Sequence, residues 1–220
     1  MVNGAQRGLL LVAGIGGPAV VAASATATAI AYRGTKGQAY SPLSHWVSEL
    51  GEEDVSRLAP VFNAGAVIGG ACLAALMTSL AMTRRGGFAR AYGPIGALAG
   101  LAGSLVGRFP MNRIVPHAIA SVSFFNLTAL AIALASVDFA KHPEPRFGRA
   151  QASIGAASTV AFVAFALVVS EAIRTQGLAA LEAPDPREAV SPLTTLEWAT
   201  LLLTMAWVVS TSWRWAKAAR

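Results

Sequence analysis

Two short segments of the chain hold the side chains best suited to chemistry. The first, YSPLSHWVSELG (residues 40–51), contains Ser48 and Glu49; the second, GRFPMN (residues 107–112), contains Arg108 and Asn112 and precedes His117. A hydroxyl, a carboxylate and an imidazole are the groups that proteins use for nucleophilic and acid–base catalysis. A guanidinium is suited to binding phosphate. These five residues form the candidate polar cluster of the chain.

Three interpretations of the candidate polar cluster are open. In the first, a Glu49–Arg108 or Glu49–His117 pair fastens the first segment to its surroundings and is purely structural. In the second, the cluster binds an anionic lipid headgroup and Arg108 contacts the phosphate. In the third, Ser48 or Glu49 acts with His117 in a hydrolase. A zinc site built from His45, Glu49 and His117 lacks the ligand spacing of known zinc motifs, so no metal is predicted and no cofactor is assigned.

Six apolar windows position these segments. Each is about as long as a helix needs to cross a hydrocarbon core about 30 Å thick. None shows the apolar and polar alternation of a membrane-spanning strand. The sequence therefore predicts an all-α fold, a polytopic transmembrane bundle of six helices. The predicted spans cover about residues 9–32, 60–83, 91–108, 116–138, 150–173 and 193–213.

The composition agrees with a membrane protein and excludes several other classes. Only 13% of the 220 residues are charged, against about 25% in soluble domains, and 55% are hydrophobic. Six spans and their loops occupy residues 1–220 as a single transmembrane helical domain, which leaves no room for a soluble one. The net charge of +6 comes from clusters at span ends. No contiguous basic face is present, so a nucleic-acid partner is not expected.

The distribution of charge predicts the orientation. The N-terminus, the second and fourth loops and the C-terminus together hold ten of the 17 Lys and Arg residues, but only Asp138 and Glu144 of the 11 acidic residues. Because Lys and Arg concentrate on the cytoplasmic side, both termini are expected in the cytoplasm of a multi-pass cell (inner) membrane protein. The candidate polar cluster then lies on the outer side. Glu197, at the outer end of the last span, is expected to be solvated at the interface, or to join the cluster if it turns inward.

The first outer loop has the pattern of a short amphipathic helix. Spacing of three and four residues places Ser41, Ser44, His45 and Ser48 on one face and Leu43, Trp46, Val47 and Leu50 on another. Such a segment can lie in the membrane interface.

Glycines are spaced for close helix packing in the second and third spans. They occur at Gly65 and Gly69, and at Gly96, Gly100, Gly103 and Gly107. Small residues at intervals of three or four let helix backbones approach. This packing either joins helices of one subunit or forms the surface for a homo-oligomer or another membrane protein.

The segment YSPLSHWVSELG, together with Asn63, GRFP and His117, resembles the DUF998 family of six-span bacterial and archaeal membrane proteins. That family is similar to the eukaryotic Frag1/DRAM/Sfk1 group, whose members share a Ser-(Asp/Glu)-x-Gly element in the first outer loop, here Ser48 to Gly51. Relatives tend to carry an acid shortly after Phe-Pro, where this chain has Asn112. The resemblance covers the first two-thirds of the chain and implies the fold and an outer-side site. It also favours lipid handling, with which the eukaryotic relatives are connected.

Three functions fit these observations, and the sequence leaves open whether the protein is an enzyme. The first is an integral membrane protein that binds or distributes lipid at the outer leaflet, with membrane lipids as its partners. The second is an intramembrane hydrolase or transferase that acts on a lipid headgroup. The third is an accessory subunit of a larger membrane complex, to which the glycine-rich helix faces would contribute.

Overall fold

The computed structural model describes residues 4–84, 86–144, 147–181 and 187–217. The first span consists of α1 (Gly4–Leu11), a π-helical turn (Val12–Gly16) and α2 (Gly17–Ala31). Two 3-10 helices, Val47–Gly51 and Gly177–Leu181, lie in loops. The other long helices are α3 (Ala59–Thr83), α4 (Gly87–Arg108), α5 (Ile114–Lys141), α6 (Arg149–Gln176) and α7 (Pro192–Lys217).

The predicted all-α transmembrane bundle is confirmed. Among the described residues, five helical stretches are long and apolar enough to cross a membrane: Gly8–Ala31, Ala59–Thr83, Ile114–Lys141, Arg149–Leu181 and Pro192–Ala216. The sixth, α4, has 22 residues, which is also a spanning length. Its glycines lower its hydropathy, but it packs between α3 and α5 as part of the same bundle.

Helices that follow one another in the chain are neighbours in the bundle. Each helix from α3 to α6 packs against the next, and α2 packs against α3. The last helix, α7, meets the first span mostly through α1 and the π-helical turn. We name the end that carries residues 32–58, 109–113, 177–181 and 187–191 the loop end, and the opposite one the termini end.

Glycine brings α3 and α4 into backbone contact. A Cβ on Gly100 would collide with the backbone of Gly70 and Ala74, and a Cβ on Gly107 would collide with the backbone of Asn63. The glycines therefore pack helices of one chain together, which is the first of the two interpretations given above. Contact with a second protein stays a prediction.

A buried ion pair joins α3 to α5 at the termini end. Arg84 follows α3, and its Nε donates to Oδ2 of Asp138 at 2.6 Å while its Nη2 donates to the carbonyl of His142 at 2.9 Å. The guanidinium also lies 5.2 Å from the ring centre of Phe139 and 5.8 Å from that of Phe147. Because both charges are buried, each depends on the other for compensation.

We expect Gly100→Ala to destabilise the bundle, because the added methyl would push α3 and α4 apart. Overpacking of this kind lowers the free energy of unfolding by about 1–3 kcal/mol. The matched control is Gly87→Ala, at a position in the same helix where a Cβ has open space. Thermal unfolding of the detergent-purified proteins measures both. Equal melting temperatures for Gly100→Ala and the wild type would contradict the close contact.

Candidate functional site

The first loop folds down onto the start of α7 and the residues before it. The carbonyl of Leu43 accepts hydrogen bonds from the backbone N–H of Ser191 at 2.7 Å and from the hydroxyl of Thr194 at 2.9 Å. The helical part of the amphipathic segment is the 3-10 helix Val47–Gly51. Within and beside it, Trp46 and Leu50 are buried in the bundle. The loop therefore closes the bundle at the loop end.

The Glu49 carboxylate is fully buried and accepts four hydrogen bonds. Its Oε1 accepts from the backbone N–H of Trp46 at 2.9 Å and from Nη1 of Arg187 at 3.0 Å. Its Oε2 accepts from the hydroxyl of Tyr32 at 3.1 Å and from Nη2 of Arg187 at 2.6 Å. Arg187 also donates to the carbonyl of Ser44 at 3.0 Å. The guanidinium of Arg187 thus binds the carboxylate in a bidentate arrangement, which is the stronger geometry for such an ion pair.

The predicted partner of Glu49 was wrong. The cation that pairs with it is Arg187, which precedes α7, and not Arg108 or His117. Arg108 ends α4 with an exposed side chain. The short connection between α4 and α5 does keep Arg108 and His117 at the same end of the bundle. The first loop touches that connection through Trp46 and Met111, but the cation that reaches the Glu49 carboxylate comes from the approach to α7.

His117 instead forms a local pair with Ser121. Its Nδ1 donates to the carbonyl of Phe109 at 2.8 Å, so its Nε2 is the unprotonated nitrogen and accepts from the Ser121 hydroxyl at 3.2 Å. The carbonyl fixes the tautomer because it can only accept. His117 is 7% exposed.

The other two predicted residues, Ser48 and Asn112, make no hydrogen bond to the Glu49 side chain among the described contacts. Ser48 is half-buried and lines a partly open cavity, and Asn112 is exposed, with its Nδ2 at 3.5 Å from Oδ2 of Asp54. No group of three His, Cys, Asp or Glu side chains that could hold a metal ion occurs in the described part of the chain. A ligand-binding role for the five predicted residues stays a prediction.

Aromatic rings surround the first loop. His45 is 3% exposed, and its ring centre lies 5.4 Å from that of Tyr32 and 5.1 Å from that of Tyr40. The Tyr40 hydroxyl accepts from Nε1 of Trp198 and donates to the carbonyl of Trp46, both at 3.0 Å. Burial lowers the pKa of His45, which therefore packs as a neutral ring.

Glu197 turns inward from the second turn of α7. It is 7% exposed, and its Oε2 accepts from the backbone N–H of Val47 at 2.6 Å. The expectation of a solvated side chain at the interface is therefore wrong, and the alternative, an inward carboxylate, is what the structure shows. Glu197 and Glu49 both hold the loop that contains Val47.

A partly open cavity of about 140 Å³ lies beneath the 3-10 helix. Its wall is mostly apolar, with polar groups from Ser48, Ser121, Thr204 and Glu197. Along α7 it extends from Glu197 to Val208, about 16 Å at the rise of an α-helix. It therefore reaches from the loop end into the middle of the bundle.

A larger groove, of about 850 Å³, runs between α2 and α7 at the loop end. Its lining is mostly apolar. Arg33, Tyr40 and Trp198 line the part nearest the first loop, and we call these three residues its rim. The groove and the cavity share three lining residues, Val21, Leu201 and Met205, which therefore form the wall between them.

The fold and these contacts define a multi-pass helical membrane protein with a buried polar cluster beneath its loop end. A family model, described as Protein of unknown function (DUF998), matches residues 20–214. The chain belongs to this family, as the sequence resemblance indicated. Neither a curated protein nor a solved structure matches the chain. The similarity to the Frag1/DRAM/Sfk1 group stays a prediction.

We expect Glu49→Gln to lower the free energy of unfolding by about 3 kcal/mol, because breaking a buried pair leaves the Arg187 charge uncompensated. The matched control is Glu171→Gln, since Glu171 pairs with Arg174 on the exposed surface of α6 and should leave the melting temperature unchanged. Thermal unfolding in detergent measures both variants. The double variant Glu49→Gln/Arg187→Gln should recover part of the loss, and a loss no larger than that of the control would refute the buried pair.

Proposed function

We propose that this protein binds a membrane lipid at its loop end, with the apolar part of the lipid in the groove between α2 and α7. The observation that carries the proposal is the groove itself, which has a mostly apolar lining and polar groups at its rim. By the charge bias of the loops, this end faces the outer leaflet.

The rim of the groove contains the residue types that are common at the level of the lipid headgroups. Trp198 and Tyr40 are joined by a hydrogen bond of 3.0 Å, and such rings prefer the membrane interface. Arg33 is exposed and uses one nitrogen, Nη1, to donate to the carbonyl of Tyr32 at 2.6 Å. Its remaining N–H groups can donate to headgroups of the surrounding membrane, as basic residues between transmembrane helices do elsewhere.

The volumes also support a bound amphiphile. A groove of about 850 Å³ lies within the range of about 300–1,000 Å³ typical of ligand pockets. The inner cavity, at about 140 Å³, matches an engineered apolar cavity of about 150 Å³ that accepts benzene. One end of a lipid could therefore pass the wall of Val21, Leu201 and Met205 while the rest stays in the groove.

We expect Ala22→Trp to remove bound lipid, because Ala22 is exposed in the groove and an indole there would fill it. The control is Ala157→Trp, an exposed position on α6 that lines neither the groove nor the cavity. Native mass spectrometry of both variants and the wild type would count the lipids retained in mild detergent. The proposal fails if the wild type retains none, or if Ala22→Trp retains as many as the control.

A second candidate function, lipid acyl hydrolysis or transfer, is favoured by one observation. The Ser121 hydroxyl donates to Nε2 of His117, whose tautomer is fixed by the Phe109 carbonyl, and Ser121 lines the cavity. In that mechanism, Ser121 Oγ attacks an ester carbonyl and its proton passes to His117 Nε2. The imidazolium then protonates the departing alkoxide, and water or a second hydroxyl releases the acyl group.

An alkyl fluorophosphonate, which reacts covalently with activated serines, tests this second function. We expect labelling of the wild type, loss of labelling in Ser121→Ala and His117→Gln, and retention in Ser123→Ala, two residues along the same helix. Intact-protein mass spectrometry gives the readout. An unlabelled wild type, or labelling that persists in Ser121→Ala, rejects the dyad and leaves lipid binding unaffected.

A further inference from the structure

Two buried carboxylates lie at the loop end, and they are compensated very differently. Glu49 accepts four hydrogen bonds, two of them from the Arg187 guanidinium. Glu197 accepts one, from the backbone of Val47, and no cation pairs with it among the described residues. An ionisable side chain inside a membrane bundle is costly to bury and usually serves a function.

We propose that Glu197 receives the amine head of a single-chain amphiphile. The inference rests on the proposed lipid-binding function and names the class of ligand: a long-chain amine or amino alcohol, which places a hydrogen-bond donor in the cavity. The chain of this ligand lies in the groove between α2 and α7, beyond the wall of Val21, Leu201 and Met205.

The lining of the cavity suits an ammonium group. Among the residues that the structure describes, Glu197 is the one acidic side chain that lines it, and no Lys, Arg or His lines it. The hydroxyl groups of Ser48 and Ser121 also line the cavity and can accept hydrogen bonds. The rings of Phe124 and Phe125 add aromatic faces, which attract cations. An anionic head would instead meet the carboxylate without a compensating cation.

The hydrogen bond to Val47 does not account for an acidic side chain at this buried position. A backbone N–H is satisfied equally well by a neutral amide or hydroxyl oxygen, which would cost less to bury. Elsewhere in this chain, buried carboxylates are compensated by arginine: Glu49 by Arg187, and Asp138 by Arg84. Glu197 follows that pattern once a cationic ligand head is present.

Three amphiphiles that share a twelve-carbon chain test the proposal: dodecylamine, dodecanol and dodecanoate. Binding to the full-length protein in nanodiscs is measured by isothermal titration calorimetry. For the wild type we expect dodecylamine to bind at least about tenfold more tightly than dodecanol, since a charge-assisted hydrogen bond is added, and dodecanoate to bind most weakly. In Glu197→Gln the preference for the amine should disappear while dodecanol binds as before.

The control is Glu171→Gln, which removes an exposed acid from the loop end of α6 and should keep the amine preference. An amine that binds no better than the alcohol, or a preference that survives Glu197→Gln, overturns the proposal. The wild-type ranking decides the matter by itself if Glu197→Gln does not fold. Binding of none of the three compounds would instead count against the groove as a lipid site and so against the proposed function.

Discussion

The buried carboxylate of Glu49 is the constraint on which the loop end depends. A charge with no exposed surface must find its compensation inside the protein, and Arg187 supplies it from a loop that is far away in sequence. The same guanidinium holds the carbonyl of Ser44, and Glu197 holds the N–H of Val47. The first loop is thereby fixed to α7 at several points along its length, and it forms the roof of the cavity.

The sequence predicted the spans well because they depend on a local property, apolar length. The helix from Ile114 to Lys141, for example, contains the predicted window of 116–138. It also identified Glu49 as a side chain that needs a partner. It did not identify Arg187, because that residue stands in a polar loop beside other charges, and nothing in its neighbourhood shows which helix the first loop will meet. Proximity along the chain favoured Arg108 and His117, whereas the partner of a buried charge is set by how the helices pack.

Helices pack more closely on one side of the bundle than on the other, and the groove lies on the less closely packed side. Glycines bring the backbones of α3 and α4 together along most of their length. On the opposite side, α7 meets the first span mainly through α1 and the π-helical turn, towards the middle and the termini end. At the loop end, α2 and α7 meet largely through side chains of the first loop that pack between them, and the groove lies beside this contact. The spacing of small residues predicted the close contact between α3 and α4. The groove between α2 and α7 has no such pattern in the sequence of either helix.

A buried ion pair fixes each end of the bundle, whereas the region between the two pairs is held by apolar contacts. At the termini end, the Arg84–Asp138 pair ties α3 to α5, and at the loop end Glu49–Arg187 ties the first loop to the approach to α7. Between them, the wall of Val21, Leu201 and Met205 consists of apolar side chains and contains no charged group. A ligand head bound at Glu197, as proposed, would contact the same carboxylate that accepts from the N–H of Val47. Entry into the cavity and the seating of the first loop are therefore linked through one side chain.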